Sequence, residues 1–298
     1  METAKAYVLH ESYKSASKTV AYIGKCAYQA LLEEVYTTPK PGLVDLYSSG
    51  AHKDMDIRTF EKSAEALQPW FVRMANKGLI FSGSEEELFV RLRSLGMEAE
   101  KAMYQATGGV NTHKGLIFTL GIYCGAAGRC LREGRKLSLS SLRSMQLRMT
   151  ERILEEELEN LKKGAVHSHG EKNLREYGTP GIRGEAMRGY PSIFFQALPE
   201  LKKGLKEGRD WNSVKLQTLL VLMSTTQDSN ILSRTGPWEL KQVHKEMRIF
   251  LGTGGAYRED AVSILEKLDA AYSLRNVSAG GCADLLAAAI FLELLTAS

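Results

Sequence analysis

The sequence predicts an all-α protein, and three observations carry that expectation. Apolar residues recur at intervals of three and four along most of the chain instead of alternating. Runs of Val, Ile and Thr long enough for a sheet core are missing. Only seven prolines occur, at 39, 41, 69, 180, 191, 199 and 237, and the long spaces between them carry the helical period. Helices packed on a shared core are the architecture that buries such stripes.

Each element can be taken in chain order. Val20, Ile23, Ala27, Ala30, Leu31 and Val35 form a first stripe, which ends where Pro39 and Pro41 stiffen an extended stretch. Phe60, Ala64, Leu67, Phe71 and Met74 form a second, and Leu88, Leu92, Leu95 and Ala99 a third. A further helix starts near Lys114, where Gly121, Gly125 and Gly128 are small positions at which another helix can approach closely. Leu142, Met145, Met149, Ile153 and Leu161 ride on a highly charged helix with solvated Arg148–Arg152 and Glu155–Glu159 faces. Later helices are expected around 212–226, 238–251, 257–273 and 282–296. No repeat, low-complexity tract or Ser/Pro linker divides the chain, so residues 1–298 read as one compact domain.

Composition narrows the function. With 44% hydrophobic and 25% charged residues over 298 positions, the chain is globular and not disordered. Its 39 Lys+Arg against 35 Asp+Glu leave +4, too little for nucleic acid or an anionic membrane but useful toward an anionic small molecule. Nucleic-acid binding through Arg143, Arg148, Arg152, Lys162 and Lys163 is disfavoured because acidic residues interleave that helix. Cys26, Cys124, Cys130 and Cys282 include no CxxC pair, which argues against a disulfide framework or a structural zinc site. The polar N-terminal residues lack the apolar segment of a secretory signal. The longest apolar run, Leu116 to Gly128, is too short to span a bilayer. A cytoplasmic protein is expected.

The chemistry lies in the loops. Six interhelix segments combine glycine with charged groups beyond what turns require. The first runs from Glu33 to Asp45 and contains Lys40. The next, Gly50-Ala51-His52-Lys53-Asp54-Met55-Asp56, sets two carboxylates beside a His-Lys pair, which suits a hard cation and a phosphate held together. The competing reading is that Asp54 or Asp56 simply caps the helix at 57–75. Gly108-Gly109-Val110-Asn111-Thr112-His113-Lys114-Gly115 precedes an apolar helix and offers backbone amides to an anion, or else a tight turn capped by Asn111 or Thr112. It is not a GxxxxGK[ST] loop.

His167 and His169 suit a metal only in an extended strand, so His167 reads as a surface loop residue. Arg183, between glycines 181 and 184, is placed for forked phosphate contact. Asp228-Ser229-Asn230, with Arg234 nearby, is either a C-terminal turn or part of an oxygen-ligand set. Gly280-Gly281-Cys282-Ala283-Asp284 again opens a helix with glycine and a carboxylate, where Asp284 also suits the helix dipole. Carboxylates with basic groups at converging helix ends describe a Mg²⁺–polyphosphate site.

In this order the strings Thr38-Pro39-Lys40-Pro41-Gly42-Leu43-Val44-Asp45, Gly50 to Asp56, Gly109 to Gly115, Gly181-Ile182-Arg183-Gly184-Glu185-Ala186, Asp228-Ser229-Asn230 and Gly280 to Ala287 carry a family likeness. They resemble the triphosphoribosyl-dephospho-coenzyme A synthase family, in its citrate lyase and malonate decarboxylase versions. The likeness runs from about residue 20 to near the C-terminus. The chain departs from the family pattern at Ala279 and Cys282, where Pro and Ser are usual, at Ser229 for Thr and at Ile182 for Ala. None of these removes a charge, and nothing suggests a fused transferase domain.

The resemblance implies a transferase that makes 2′-(5″-triphosphoribosyl)-3′-dephospho-CoA and adenine from ATP and 3′-dephospho-CoA. It implies Mg²⁺ as cofactor and ATP as substrate. The product would pass through a separate transferase to the acyl carrier protein of citrate lyase or malonate decarboxylase. The reaction is a glycosyl transfer through an oxocarbenium-like state, for which carboxylates are the expected machinery. Asp45, His113 and Glu185 are the candidate acid and base. Lys40, His52, Lys53, Asn111, Lys114, Arg183, Asn230 and Arg234, with the amides of Gly108, Gly109, Gly280 and Gly281, are candidates for substrate binding. Asp54, Asp56, Asp228 and Asp284 are the candidate Mg²⁺ ligands. Two other readings stay open: a Mg²⁺-dependent nucleotide or ADP-ribosyl glycohydrolase with water as acceptor, and a silent nucleotide-binding helical module.

Overall fold

A computed structural model describes residues 2–161 and 169–297, and among these there are helices and turns but no strand. The long helices are α1 (Glu2–Val35), α2 (Ile57–Ile80), α3 (Glu85–Ala106), α4 (Lys114–Arg132) and α5 (Leu139–Leu161). Shorter ones follow as α6 (His169–Tyr177), α7 (Gly181–Met187), α8 (Leu198–Lys206), α9 (Trp211–Met223) and α10 (Ser229–Thr235). The chain closes with α11 (Pro237–Gly252), α12 (Ala261–Leu274) and α13 (Gly280–Thr296). A π-helical turn at Ile193–Ala197 leads into α8, and a 3₁₀ turn at Gly255–Tyr257 precedes α12.

Two helices make the centre. α4 buries residues all round, from Leu116 through Cys130, and α13 buries nearly every side chain from Leu285 to Leu292. A helix apolar on every face belongs inside, and α1, α2, α3, α5 and α9 pack around this pair. The expected stripes are buried: Ile23, Ala27, Ala30 and Leu31 on α1, and Leu67, Phe71 and Met74 on α2, join one core with Leu120, Tyr123 and Phe291.

Close approach of α2 to α4 depends on glycine. A Cβ on Gly128 would stand 1.9 Å from the Ala75 carbonyl oxygen, and one on Gly78 2.0 Å from that of Gly125. The obstacle in each case is backbone, which cannot swing aside. Gly128→Ala is therefore expected to destabilise the fold by about 2 kcal/mol, overpacking of ~1–3 kcal/mol outweighing the helix propensity gained. Urea unfolding checks this; an unchanged midpoint would mean that the helices part freely.

Several boundaries differ from the periodic reading. The segment 181–206, between two regions of clear periodicity, holds α7, the π-helical turn and α8, each too short to show a full stripe. Asp228 opens a helix instead of closing one: its side chain accepts from the Asn230 and Ile231 amides and starts α10. The helix expected from 257 starts at Ala261, after the 3₁₀ turn. His167, Lys162 and Lys163 lie outside the described residues, and His169 begins α6 in place of the extended strand a histidine pair would need. No helix among the described residues is long and apolar enough to cross a membrane.

Candidate active site

The wall of the site begins with the irregular segment 36–56. Asp45 is turned into its own loop, its Oδ2 accepting from the Lys40 amide at 2.8 Å and its Oδ1 from the Tyr47 and Ser48 amides, each at 2.9 Å. Gly42 takes φ +72°, and a Cβ there would stand 2.2 Å from the Val277 carbonyl oxygen, so glycine is required. Asp269 on α12 accepts from the Gly42 amide at 2.8 Å and from Ser48 Oγ at 2.7 Å. Asn212 on α9 exchanges two hydrogen bonds with the backbone of Thr38, at 3.1 and 2.6 Å. So anchored, the loop directs Lys40 inward, 1% exposed, where its ammonium meets the Glu34 carboxylate and donates to the Glu34 carbonyl at 2.8 Å.

A cavity opens beyond this pair, where the 36–56 loop meets the N-termini of α4 and α13 and the start of α10. Of the residues singled out in the sequence, Lys40, His52, Asn111, His113, Lys114, Asn230, Arg234, Gly280 and Asp284 line it. The structure does not bring the others to the same wall. Lys53 is exposed. Asp56 caps α2, accepting from the Thr59 amide at 2.9 Å, as the competing reading held. Asp54 is 64% exposed, with His52 Nδ1 3.9 Å from its Oδ1. Gly108 and Gly109, at φ +66° and +92°, turn the chain out of α3 and face solvent. Arg183 and Glu185 lie on α7 outside the cavity, and the Glu185 carboxylate accepts from Ser192 Oγ at 2.9 Å and from the Ser192 amide at 3.2 Å.

Asp228 is 1% exposed, and both its oxygens are engaged in structure. Its Oδ1 takes the Asn230 and Ile231 amides at 2.8 and 3.1 Å, and its Oδ2 takes the Cys282 amide at 2.8 Å, tying α10 to the first turn of α13. Burial pushes its carboxyl up while these amides pull it down. Asp228→Ala is expected to cost about 2–4 kcal/mol, from a lost cap of ~0.5–2 kcal/mol and a buried amide left unpaired at ~1–3 kcal/mol. A loss under about 1 kcal/mol in urea unfolding would show that the tie is dispensable.

The four aspartates expected to hold Mg²⁺ therefore do not form one cage. Among the described residues no group of three or more His, Cys, Asp or Glu side chains is arranged to hold a metal ion. What remains in the cavity is Asp284. Its half-buried carboxyl lines the wall, and no hydrogen bond or ion pair engages it among the described residues. Burial raises its pKa well above the usual carboxylate range, with the charges of Glu34 and Asp228 adding to the effect. Gly115 leaves room for it, since a Cβ there would stand 2.3 Å from Asp284 Oδ2.

The cationic side of the cavity is built from ordinary anchors. Arg234 donates to the Ala51 carbonyl and to Asn276 Oδ1, both at 2.6 Å, so it joins the 36–56 loop to the turn before α13. His52 Nε2 lies 2.9 Å from Ser278 Oγ, and its pKa is lowered by burial and by the Arg234 charge. Lys114 is exposed and pairs with Glu100 at 2.5 Å, while its amide donates to Asn111 Oδ1 at 3.2 Å. His113 is 2% exposed, and burial together with the Lys40 charge pushes its pKa down to about 3. A neutral imidazole is thus fixed at the cavity wall. Its Nδ1 lies 2.7 Å from Ser63 Oγ, and its Nε2 has no partner.

Sequence reasoning gave no role to Ser63, and to Thr112 only that of a turn cap. Glu34 lies in the segment from Glu33 to Asp45, where the sequence does not mark it as the partner of Lys40. Ser63 lies 50 positions from His113, so no local pattern joins them.

Comparison with known proteins bears on this cavity. The family model described as "ATP:dephospho-CoA triphosphoribosyl transferase" matches residues 20–298. A protein of Salmonella choleraesuis, named a probable 2-(5''-triphosphoribosyl)-3'-dephosphocoenzyme-A synthase 1, is 41% identical over 89% of this chain and 88% of its own. Similarly named proteins of Photobacterium profundum and Vibrio cholerae are 40% and 38% identical. They cover 89% and 93% of this chain and 84% and 90% of their own. No solved structure matches the chain.

Proposed function

Since the chain belongs to the ATP:dephospho-CoA triphosphoribosyl transferase family, and is a transferase acting on ATP and dephospho-CoA, we propose that the cavity around Asp284 is where the triphosphoribosyl group changes hands. The observation that carries this reading is the unengaged, cavity-facing carboxyl of Asp284. In the reaction the acceptor's 2′-oxygen bonds to C1′ of the ATP ribose as the C1′–N9 bond breaks. The hydroxyl proton must leave, and adenine must gain one. Asp284, as its carboxylate, takes the hydroxyl proton and returns it to the departing base, so the net change balances. Burial raises the pKa of this base above that of an ordinary carboxylate, which strengthens it as a proton acceptor.

Arg234 and Lys114 face the triphosphate, assisted by Asn230 and the α13 N-terminus at Gly280. Lys40, its charge already matched by Glu34, shapes the wall and adds positive potential. In this reading magnesium arrives on the triphosphate as its counter-ion, outside any protein cage, and no step is routed through it. The product then serves as prosthetic-group precursor for the acyl carrier protein of citrate lyase or malonate decarboxylase, delivered by a separate transferase.

The test is to incubate purified protein with ATP, Mg²⁺ and 3′-dephospho-CoA, follow products by mass-resolved chromatography, and repeat without acceptor and with CoA. Adenine and a triphosphoribosyl adduct that require dephospho-CoA, and that vanish together in Asp284→Asn, are expected. Adenine without an adduct would mean a glycohydrolase. An Asp284→Asn variant as active as the parent would move the chemistry elsewhere.

A further inference from the structure

A chain of two hydroxyls ends on His113. Thr112 Oγ1 donates to Ser63 Oγ at 2.7 Å, and Ser63 Oγ lies 2.7 Å from His113 Nδ1. Ser63 is fully buried on α2, and the ring is held edge-on to Phe60, with centroids 5.0 Å apart and planes at 83°. The direction of the chain follows from counting hydrogens. Ser63 Oγ already accepts from Thr112, and its own hydrogen has no other acceptor among the described residues. If His113 Nδ1 also donated to it, that hydrogen would be stranded in a dry site, at a cost of the order that buried unpaired donors carry. Ser63 therefore donates to Nδ1, and the ring proton sits on Nε2. That Nε2 is buried and has no partner, on a histidine that lines the cavity.

We propose that Thr112 and Ser63 are positioning residues that hold His113 as the Nε2–H tautomer, so that Nε2–H donates to N3 or N7 of the departing adenine. This rests on the reading of the cavity given above. The cavity that His113 lines also carries Phe60, Leu43, Met55 and Ala283, apolar groups that suit a purine better than a phosphate, and Phe60 meets the His113 ring itself. Cations for the phosphates are present in the same lining as Arg234 and Lys114. A neutral donor suits an atom that is uncharged in the bound substrate and gains electron density only as the C1′–N9 bond breaks, so its effect falls on the rate.

The test joins a structural readout to a kinetic one. Long-range ¹H–¹⁵N correlation on the apoprotein is expected to show His113 as a single Nε2–H tautomer, becoming a mixture in Ser63→Ala. A wild-type ring protonated at Nδ1 overturns the proposal whatever the activity. In kinetics, Ser63→Ala is expected to lower kcat by about 10–100-fold, the range typical of partners that orient a functional histidine, with KM for ATP nearly unchanged. Thr112→Val should give a smaller loss, and Thr112→Ser should restore it. Replacing ATP by its 3-deaza or 7-deaza analogue removes one candidate acceptor each. One of them should be slow with the wild type and suffer little further loss in Ser63→Ala. Equal turnover of ATP and both analogues, or a Ser63→Ala change confined to KM, overturns it. If wild-type protein released no adenine at all, the reading of the cavity would fail, while the tautomer measurement would still stand by itself.

Discussion

Asp284→Asn is expected to lower turnover by about 10²–10⁴-fold, the contribution typical of a positioned base, while ATP binding persists. Asparagine keeps the shape of the side chain but cannot accept the hydroxyl proton. Equilibrium binding of ATP and steady-state kinetics separate the two effects, and equal loss of both would assign Asp284 to phosphate or metal binding instead. The pH profile adds an independent check. Because burial, Glu34 and Asp228 raise the Asp284 pKa, the rise of kcat/KM on the acid side should lie above the usual carboxylate range, and the variant's residual activity should lack that rise.

The same substitution has the opposite effect on stability. A carboxyl whose folded pKa is raised keeps its proton longer in the native state than in the unfolded one. Stability therefore falls as pH climbs from the unfolded value, about 3.9, toward the folded one. At neutral pH the native protein carries that penalty, and asparagine removes it. A rise in Tm is expected. An inactive variant more stable than its parent is the signature of a site under electrostatic stress.

The second large effect is on the Lys40–Glu34 pair. Both side chains are almost wholly buried, at 1% and 5% exposure. Lys40→Met is expected to cost about 3–5 kcal/mol, because the Glu34 carboxylate stays inside without its counter-charge. Urea unfolding checks this. Replacing both, as Lys40→Met with Glu34→Leu, should recover most of the stability, because a buried pair and an apolar pair of similar volume are often near balance. If the single variant unfolded at the parent's urea midpoint, water must reach the pair.

How far these residues could be recognised in advance depended on whether their partners were local. The stripes on α1, α2 and α3 repeat over several turns, so helix and buried face are legible together. The seven-residue helices α7 and α10 make no such repeat, and the aspartate that opens α10 looks the same in sequence as one that closes a helix. The site follows the same rule. The sequence brings Lys40, His113 and Asp284 into consideration through their glycine-rich settings, but it cannot rank carboxylates. Asp45, Asp56, Asp228 and Asp284 all stand beside loops or helix starts. Only three-dimensional contacts show that the first three commit their oxygens to backbone amides while the fourth has none. The partners that matter most for His113 and Lys40, namely Ser63 and Glu34, lie on helices whose patterns announce only packing.

The anchoring of the 36–56 segment has a consequence for the energetics of substrate capture. Asn212 and Asp269 grip it from two helices, and Asp45 ties its middle. Fixing a residue's backbone costs roughly 1–2 kcal/mol of conformational entropy, which a floppy wall would have to find from the ligand's own contacts. Here that ordering is completed during folding. In the proposed site ATP would meet a cavity wall that is already set, and the attraction between them would be left for discriminating the bound nucleotide from its transition state.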